Sequence, residues 1–173
     1  MKIGFCGTMS VGKTTLVKEL KKLGEFKDHQ FVTERSQHLM NQGIPLNTDS
    51  TLKGQTVFLA ERSLELLQEN IVTDRTIIDV MAFTNCAKKV SYMDEDAFEE
   101  YAKRFISQYD HIFYISPEGI EIEDNGIRET DIDYRRQIDE EIQKLLLKHR
   151  PIVHTLKGTT KERISKIIET IYF

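Results

Sequence analysis

The chain has 173 residues, 39% of them apolar and 30% charged, with 24 Lys plus Arg against 28 Asp plus Glu and a net charge of −4. That length suits one domain spanning 1–173 with a real core, and the acidic balance argues against extended nucleic-acid binding, which ordinarily needs a basic field. The apolar run in MKIGFCGTMS breaks at a glycine after a few residues, too short for a signal peptide or a membrane span, so a cytoplasmic protein with no membrane partner is expected.

KIGFC (2–6) reads as a first strand, and KTTLVKELKKL (13–23) as a helix with Leu16, Val17, Leu20 and Leu23 on one face and Gly24 as its stop. QFVTE (30–34) is a second strand. The pattern over 50–69 predicts a long helix opened by Asp49 or Ser50, with Leu52, Leu59, Leu66 and Leu67 inward. NIVTD (70–74) is a third strand, followed by helices over 78–89 and 94–109, the latter with acids in its first turn. HIFYIS (111–116) is a fourth strand, and 133–149 a helix with Tyr134, Ile138, Ile142 and Leu145 inward. PIVHTL (151–156) is a fifth strand, after which Thr159 and Glu162 are spaced as a capping box for a last helix. Short strands alternating with helices predict a three-layer α/β sandwich on a mainly parallel five-stranded sheet. Cys6 and Cys86 have neither close pairing nor metal-ligand spacing, and read as small buried side chains in a reducing compartment. The five histidines form no ligand-spaced pair.

Between the first strand and the first helix stands GTMSVGKTT, a G-x-x-x-x-G-K-[ST] pattern in the context that gives it meaning. Gly7 and Gly12 let the backbone bend closely around phosphate oxygens, and the N–H groups of Ser10, Val11, Gly12, Lys13, Thr14 and Thr15 then face an anion at a helix N-terminus. Lys13 is expected to reach the β- and γ-phosphates and the Thr14 hydroxyl to help hold Mg²⁺. The nucleotide is ATP or GTP. A Ras-like switch would also need N-K-x-D and D-x-x-G, and neither string occurs.

Two further constellations follow strands, where open α/β sheets bind ligands. FVTERS places Glu34, Arg35 and Ser36 after the second strand, and VTDRTIIDVMAF places Asp74 and Arg75 after the third, with Asp79 either capping the next helix or touching substrate. Glu34 and Asp74 are the two carboxylates available to accept a hydroxyl proton and to order Mg²⁺ through water. Arg75 would bind phosphate, of the acceptor or of the transferring group. On the long helix, Gln55 and Phe58 are placed to read and stack on a nucleobase, though a helical Phe is also ordinary core. The fourth strand ends in Ser116, so no acidic residue lies there.

TDRTIIDVMAFT resembles the D-R-x-x-x-D/S-x-x-A-Y segment of the thymidylate kinase and deoxynucleoside kinase group. The ordered set GTMSVGKTT, TERS, TDRTIIDVMAF and GIRETDIDYRRQID is more similar to the nicotinamide riboside kinase-like P-loop family, which also has GTP-binding relatives. The resemblance implies an ATP- and Mg²⁺-dependent kinase of a nucleoside or nucleoside monophosphate, with Glu34 in the base position and Asp74 on the metal side. Two alternatives remain open: a kinase acting on a modified nucleotide within DNA, and a nucleotide-binding regulatory module with slow hydrolysis.

EIEDNGIRETDIDYRRQIDEE (121–141) carries Arg128, Arg135 and Arg136 among acids. Phosphoryl transfer spreads charge that arginines stabilise, and a closing lid delivers them and excludes water. Arg128 and Arg135 are therefore expected to contact the nucleotide from a lid at about 117–137, Arg136 ranking third. The competing reading is a solvated helix with pairs Arg135–Asp139 and Arg136–Glu140. A homodimer through the helices of 78–109 is left open.

Overall fold

The structure is a computed structural model, and it describes residues 1–33, 36–121 and 131–173. Five strands, β1 (Lys2–Cys6), β2 (Gln30–Val32), β3 (Ile71–Asp74), β4 (His111–Ile115) and β5 (Val153–Leu156), form one sheet in the order β2-β3-β1-β4-β5. All its pairings are parallel. The helices are α1 (Lys13–Leu20), α2 (Ser36–Asn41), α3 (Leu52–Glu65), α4 (Ile77–Asn85), α5 (Tyr92–Ala102), α6 (Ile132–His149) and α7 (Thr160–Tyr172).

Successive side chains of a strand point to opposite faces, and β1 and β4 use that to hold two cores apart. Ile3 and Phe5 of β1, with Phe113 and Ile115 of β4, pack against Leu16, Val17 and Leu20 of α1 and Ile167 of α7. Cys6, Ile112 and Tyr114 face the other way, onto Leu59 of α3, Ile78 and Met81 of α4, Phe98 of α5 and Ile138 and Ile142 of α6. Gly4 shares that second face, and a Cβ on it would stand 2.5 Å from Thr76 Cγ2 and 2.8 Å from Tyr109 Cε1. Glycine is needed there so that the start of α4 can lie against the sheet.

The three-layer α/β architecture stands as expected, with several changes of boundary. The long helix starts later, with Thr51 as its N-cap accepting from Gly54 N–H, and Leu67 lies beyond its end and is exposed rather than inward. The first helix stops at Leu20, and Gly24 opens a 3₁₀ turn instead of closing the helix. The helix α5 starts at Tyr92 behind an Ser91 cap, and Lys103–Gln108 tightens into 3₁₀ geometry. The helix α2 was not expected at all. Thr159 and Glu162 form the capping box that opens α7, and both cysteines are buried free thiols.

The chain leaves β1 toward β2 and β3 on one side, and later returns on the other side as β4 and β5. The strand order thus reverses at β1, and the crevice beyond its C-terminal end is where such sheets bind ligands.

Candidate active site

The loop after β1 is shaped by left-handed backbone at Gly7 (φ 146°), Ser10 (φ 58°) and Gly12 (φ 86°). A Cβ on Gly7 would press to 2.7 Å from the Ile115 carbonyl oxygen, so this position needs glycine for space as well as for φ. Lys13 is buried, and its ammonium donates to the carbonyls of Gly7 (2.6 Å) and Thr8 (2.8 Å), bridging the start of the loop. Thr14 opens α1 with its hydroxyl donating to Asp74 Oδ2. The two residues expected at a metal therefore touch. Val11 is buried under the loop, while Thr15 is exposed on the first turn of α1.

Asp79 is fully buried and acts as a cap. Its Oδ2 accepts from Thr76 N–H (2.7 Å) and Thr76 Oγ1 (2.8 Å), and its Oδ1 accepts from Gly7 N–H (3.1 Å). Both oxygens accept hydrogen bonds, and Asp79 thereby ties the phosphate loop to the N-terminus of α4. Arg62 of α3, missed by the sequence reading, is buried with Glu65 at 2.5 Å and reaches the Asp74 carbonyl at 3.5 Å.

Arg75 follows Asp74 at φ 99°, outside the region that non-glycine residues favour, and its N–H donates to Phe5 O at 3.0 Å. This twist turns the guanidinium over the Phe83 ring, 4.7 Å from its centroid. Together they line a cleft with Gln55 and Phe58 of α3, Val80 of α4, Ser36 of α2, and Leu46, Asn47 and Ser50. Three expected acceptor residues, Gln55, Phe58 and Arg75, thus meet in one place. Gln55 is 3% exposed. Sequence reasoning missed Val80 and Phe83, although their i,i+3 spacing on α4 does put them on one helix face.

Arg135 lies in the first turn of α6, whose N-cap Asp131 accepts from the N–H groups of Asp133 and Tyr134. It is buried: Nη1 donates to the Ile120 carbonyl at 2.6 Å, and the Arg135 carbonyl accepts from Thr8 Oγ1 at 3.3 Å. Burial lowers its guanidinium pKa, and Asp139 opposes that shift. Positions 132–137 of the expected lid are therefore helix. Arg136 is exposed and paired with Asp133 at 2.8 Å. Behind Arg135, Tyr114 donates to Asp139 Oδ1 (2.8 Å) and Gln143 to Oδ2 (2.8 Å), and burial raises the Asp139 carboxyl pKa despite these donors. Glu34, Arg35 and Arg128 lie outside the described residues.

Among the described residues no group of three or more His, Cys, Asp or Glu side chains could hold a metal. Mg²⁺ does not need one, since it keeps several waters and takes one or two protein oxygens plus substrate phosphates. The Thr14 hydroxyl and Asp74 carboxylate fit that demand. No described helix is long and apolar enough to cross a membrane.

A phosphate loop at the head of a parallel sheet, beside a strand ending in Asp-Arg, defines a P-loop fold of the nucleotide-kinase type. The chain belongs to the family described as AAA domain (AAA_28), whose model matches residues 2–163. No curated protein matches it. Among solved structures it is similar to a deoxyadenosine kinase from M. mycoides with products dCMP and dCDP bound, at 18% identity and TM-score 0.68, covering 99% of this chain and 98% of that one. A NadR protein in complex with NR gives 19% identity and TM-score 0.77 over 96% of this chain, which spans 50% of that longer chain. Thymidylate kinase from Ehrlichia chaffeensis gives 15% identity and TM-score 0.66, covering 100% and 98%. At these identities the likeness is one of fold.

Proposed function

We propose that this protein is a cytoplasmic kinase that transfers the γ-phosphoryl group of ATP to a nucleoside or nucleoside monophosphate. One observation carries the reading: the Thr14–Asp74 contact joins the phosphate loop to the strand end that also supplies Arg75 to the Gln55–Phe58 cleft. Donor and acceptor sites thereby share one carboxylate-bearing junction. The kinase activity of fold neighbours such as deoxyadenosine kinase supports it.

In this reading the loop N–H groups and Lys13 hold the triphosphate, and Thr14 and Asp74 hold Mg²⁺, which when bound neutralises charge on the phosphates. Gln55, 3% exposed, offers its amide to a base edge. Phe58 stacks on the base. With Asp74 engaged by Thr14, Glu34 is left as the general base. It takes the acceptor hydroxyl proton as the new O–P bond forms and the β–γ bridge bond breaks, releasing ADP. Arg35 and Arg75 bind acceptor-side oxygens. Arg128 and Arg135 stabilise charge on the transferring group.

The test is ADP release with Mg²⁺-ATP (GTP in parallel) against a panel of nucleosides, nicotinamide riboside, nucleoside monophosphates and an oligonucleotide. Release that rises sharply with one small acceptor, and that Glu34→Gln abolishes while ATP still binds, is the expected result. Stimulation by the oligonucleotide alone would make it a nucleic-acid kinase. Acceptor-independent background with ATP bound would make it a regulatory module.

A further inference from the structure

The last helix carries a buried cation for which the site described above has no role. Arg163 of α7 is 8% exposed, and its Nη1 donates to the Val11 carbonyl in the phosphate loop at 2.8 Å, across 152 positions of sequence. The same Nη1 stands 3.4 Å from where a Cβ on Gly12 would be, so the guanidinium rests against the loop at its left-handed hinge. Its Nε is buried with no hydrogen-bond partner among the described residues. No described acid forms an ion pair with it, and burial lowers its pKa. A buried cation without a counter-charge is costly, so packing alone gives little reason to keep it.

Peptide geometry supplies a reason. The described bonds include no cis peptide, and in a trans peptide the C=O and the following N–H point in opposite directions. Holding the Val11 carbonyl against Arg163 turns the Gly12 N–H the opposite way, away from that guanidinium. Gly12, with φ 86°, is the residue best able to flip that peptide if the carbonyl were released. Arg163 itself is held by the helix start: its N–H donates to the Thr159 carbonyl, and Thr159 and Glu162 close the capping box.

We infer that Arg163 is a positioning residue for triphosphate binding, which locks the Val11–Gly12 peptide so that its N–H is aimed at a phosphate oxygen before the nucleotide arrives. It touches no substrate; it acts through the loop, and it adds a positive charge behind the anion site. The inference rests on the phosphate-cradle reading above and names a determinant that no local motif carries.

Binding of inorganic tripolyphosphate and of Mg²⁺-ATP is measured by calorimetry for the wild type, Arg163→Met, Arg163→Gln and Arg163→Lys, well below each variant's melting temperature. Arg163→Met should weaken both ligands by about tenfold, the loss of one charge-assisted hydrogen bond. Lysine, which can still donate to the Val11 carbonyl, should restore part of it. If the methionine variant does not fold, Arg163→Gln, too short to reach the carbonyl, takes its place with the same expectation. Wild-type affinity in these variants, with or without a lower melting temperature, would reduce Arg163 to a structural residue and overturn the inference. If the wild type binds neither ligand, the phosphate-cradle reading itself fails, an outcome distinct from a loss seen only in the variants.

Discussion

Arg75 shows how one side chain can bear on substrate choice. Its backbone at φ 99° is strained, and the strain puts the guanidinium on the face of Phe83, in the cleft that Gln55 also lines and that is proposed for the acceptor. A charge-assisted hydrogen bond to an acceptor oxygen is worth about 1.5–3 kcal/mol. Arg75→Ala should therefore raise the acceptor KM by about 10- to 100-fold, with ATP affinity unchanged. Lys13→Ala should instead abolish triphosphate use, since it removes the cation that spans the loop; retained turnover would sink the phosphate-loop assignment. The two variants separate acceptor from donor, and steady-state kinetics on each substrate reads the difference.

Central strand β1 carries the site because it is pinned on both faces. Phe5 stacks on Phe113 at 5.6 Å in one core, while Gly4 admits Thr76 and Tyr109 in the other. Since Thr76 caps α4 and Asp79 of α4 holds the Gly7 N–H, the close approach at Gly4 also sets the first residue of the phosphate loop. Gly4→Ala forces atoms apart in a dense core, which typically costs about 1–3 kcal/mol. Urea unfolding should report that loss, and ATP affinity should fall with it because the Gly7–Asp79 contact moves. An unchanged midpoint would show that α4 can slide freely on the sheet.

Across the whole molecule, acid should destabilise the fold before carboxylates are protonated. His29 is held below its ordinary 6.5 by burial and by the N-terminal ammonium. His154 is held below 6.5 by burial and by His111, whose Nδ1 is 3.1 Å from its Nε2. Both imidazoles stay neutral in the folded chain at pH values where the unfolded chain takes up protons, so stability falls as pH drops through 6.5. The Glu99 carboxyl, held below its ordinary 4.5 by Lys148 and His149 against the opposing effect of burial, loses its contribution only at lower pH. The melting temperature should decline between pH 7 and pH 5, and His154→Gln should flatten that decline. A flat profile in the wild type would contradict the lowered affinity of these partly buried rings for protons.

What was legible in the chain was whatever rests on near neighbours. GTMSVGKTT encodes its own bend through glycine, the alternating apolar runs encode a parallel sheet, and Thr159 with Glu162 encodes a cap three residues long. Strand order, the burial of Arg135 and the tie from Asp79 to the phosphate loop were not legible, because each depends on which remote group lies opposite. Local sequence left Asp79 open between cap and substrate; Thr76, three residues before it, gives Oδ2 its donors, and packing of α4 against the phosphate loop adds the Gly7 N–H at Oδ1. Leu67 matched a helical face, yet the helix ended before it and left it in solvent. Arg163 carried no local signal at all, since its partner is the Val11 carbonyl 152 positions away. Periodicity and turn chemistry act over a few residues, whereas a buried charge or carbonyl finds its partner only when the sheet has brought distant segments together.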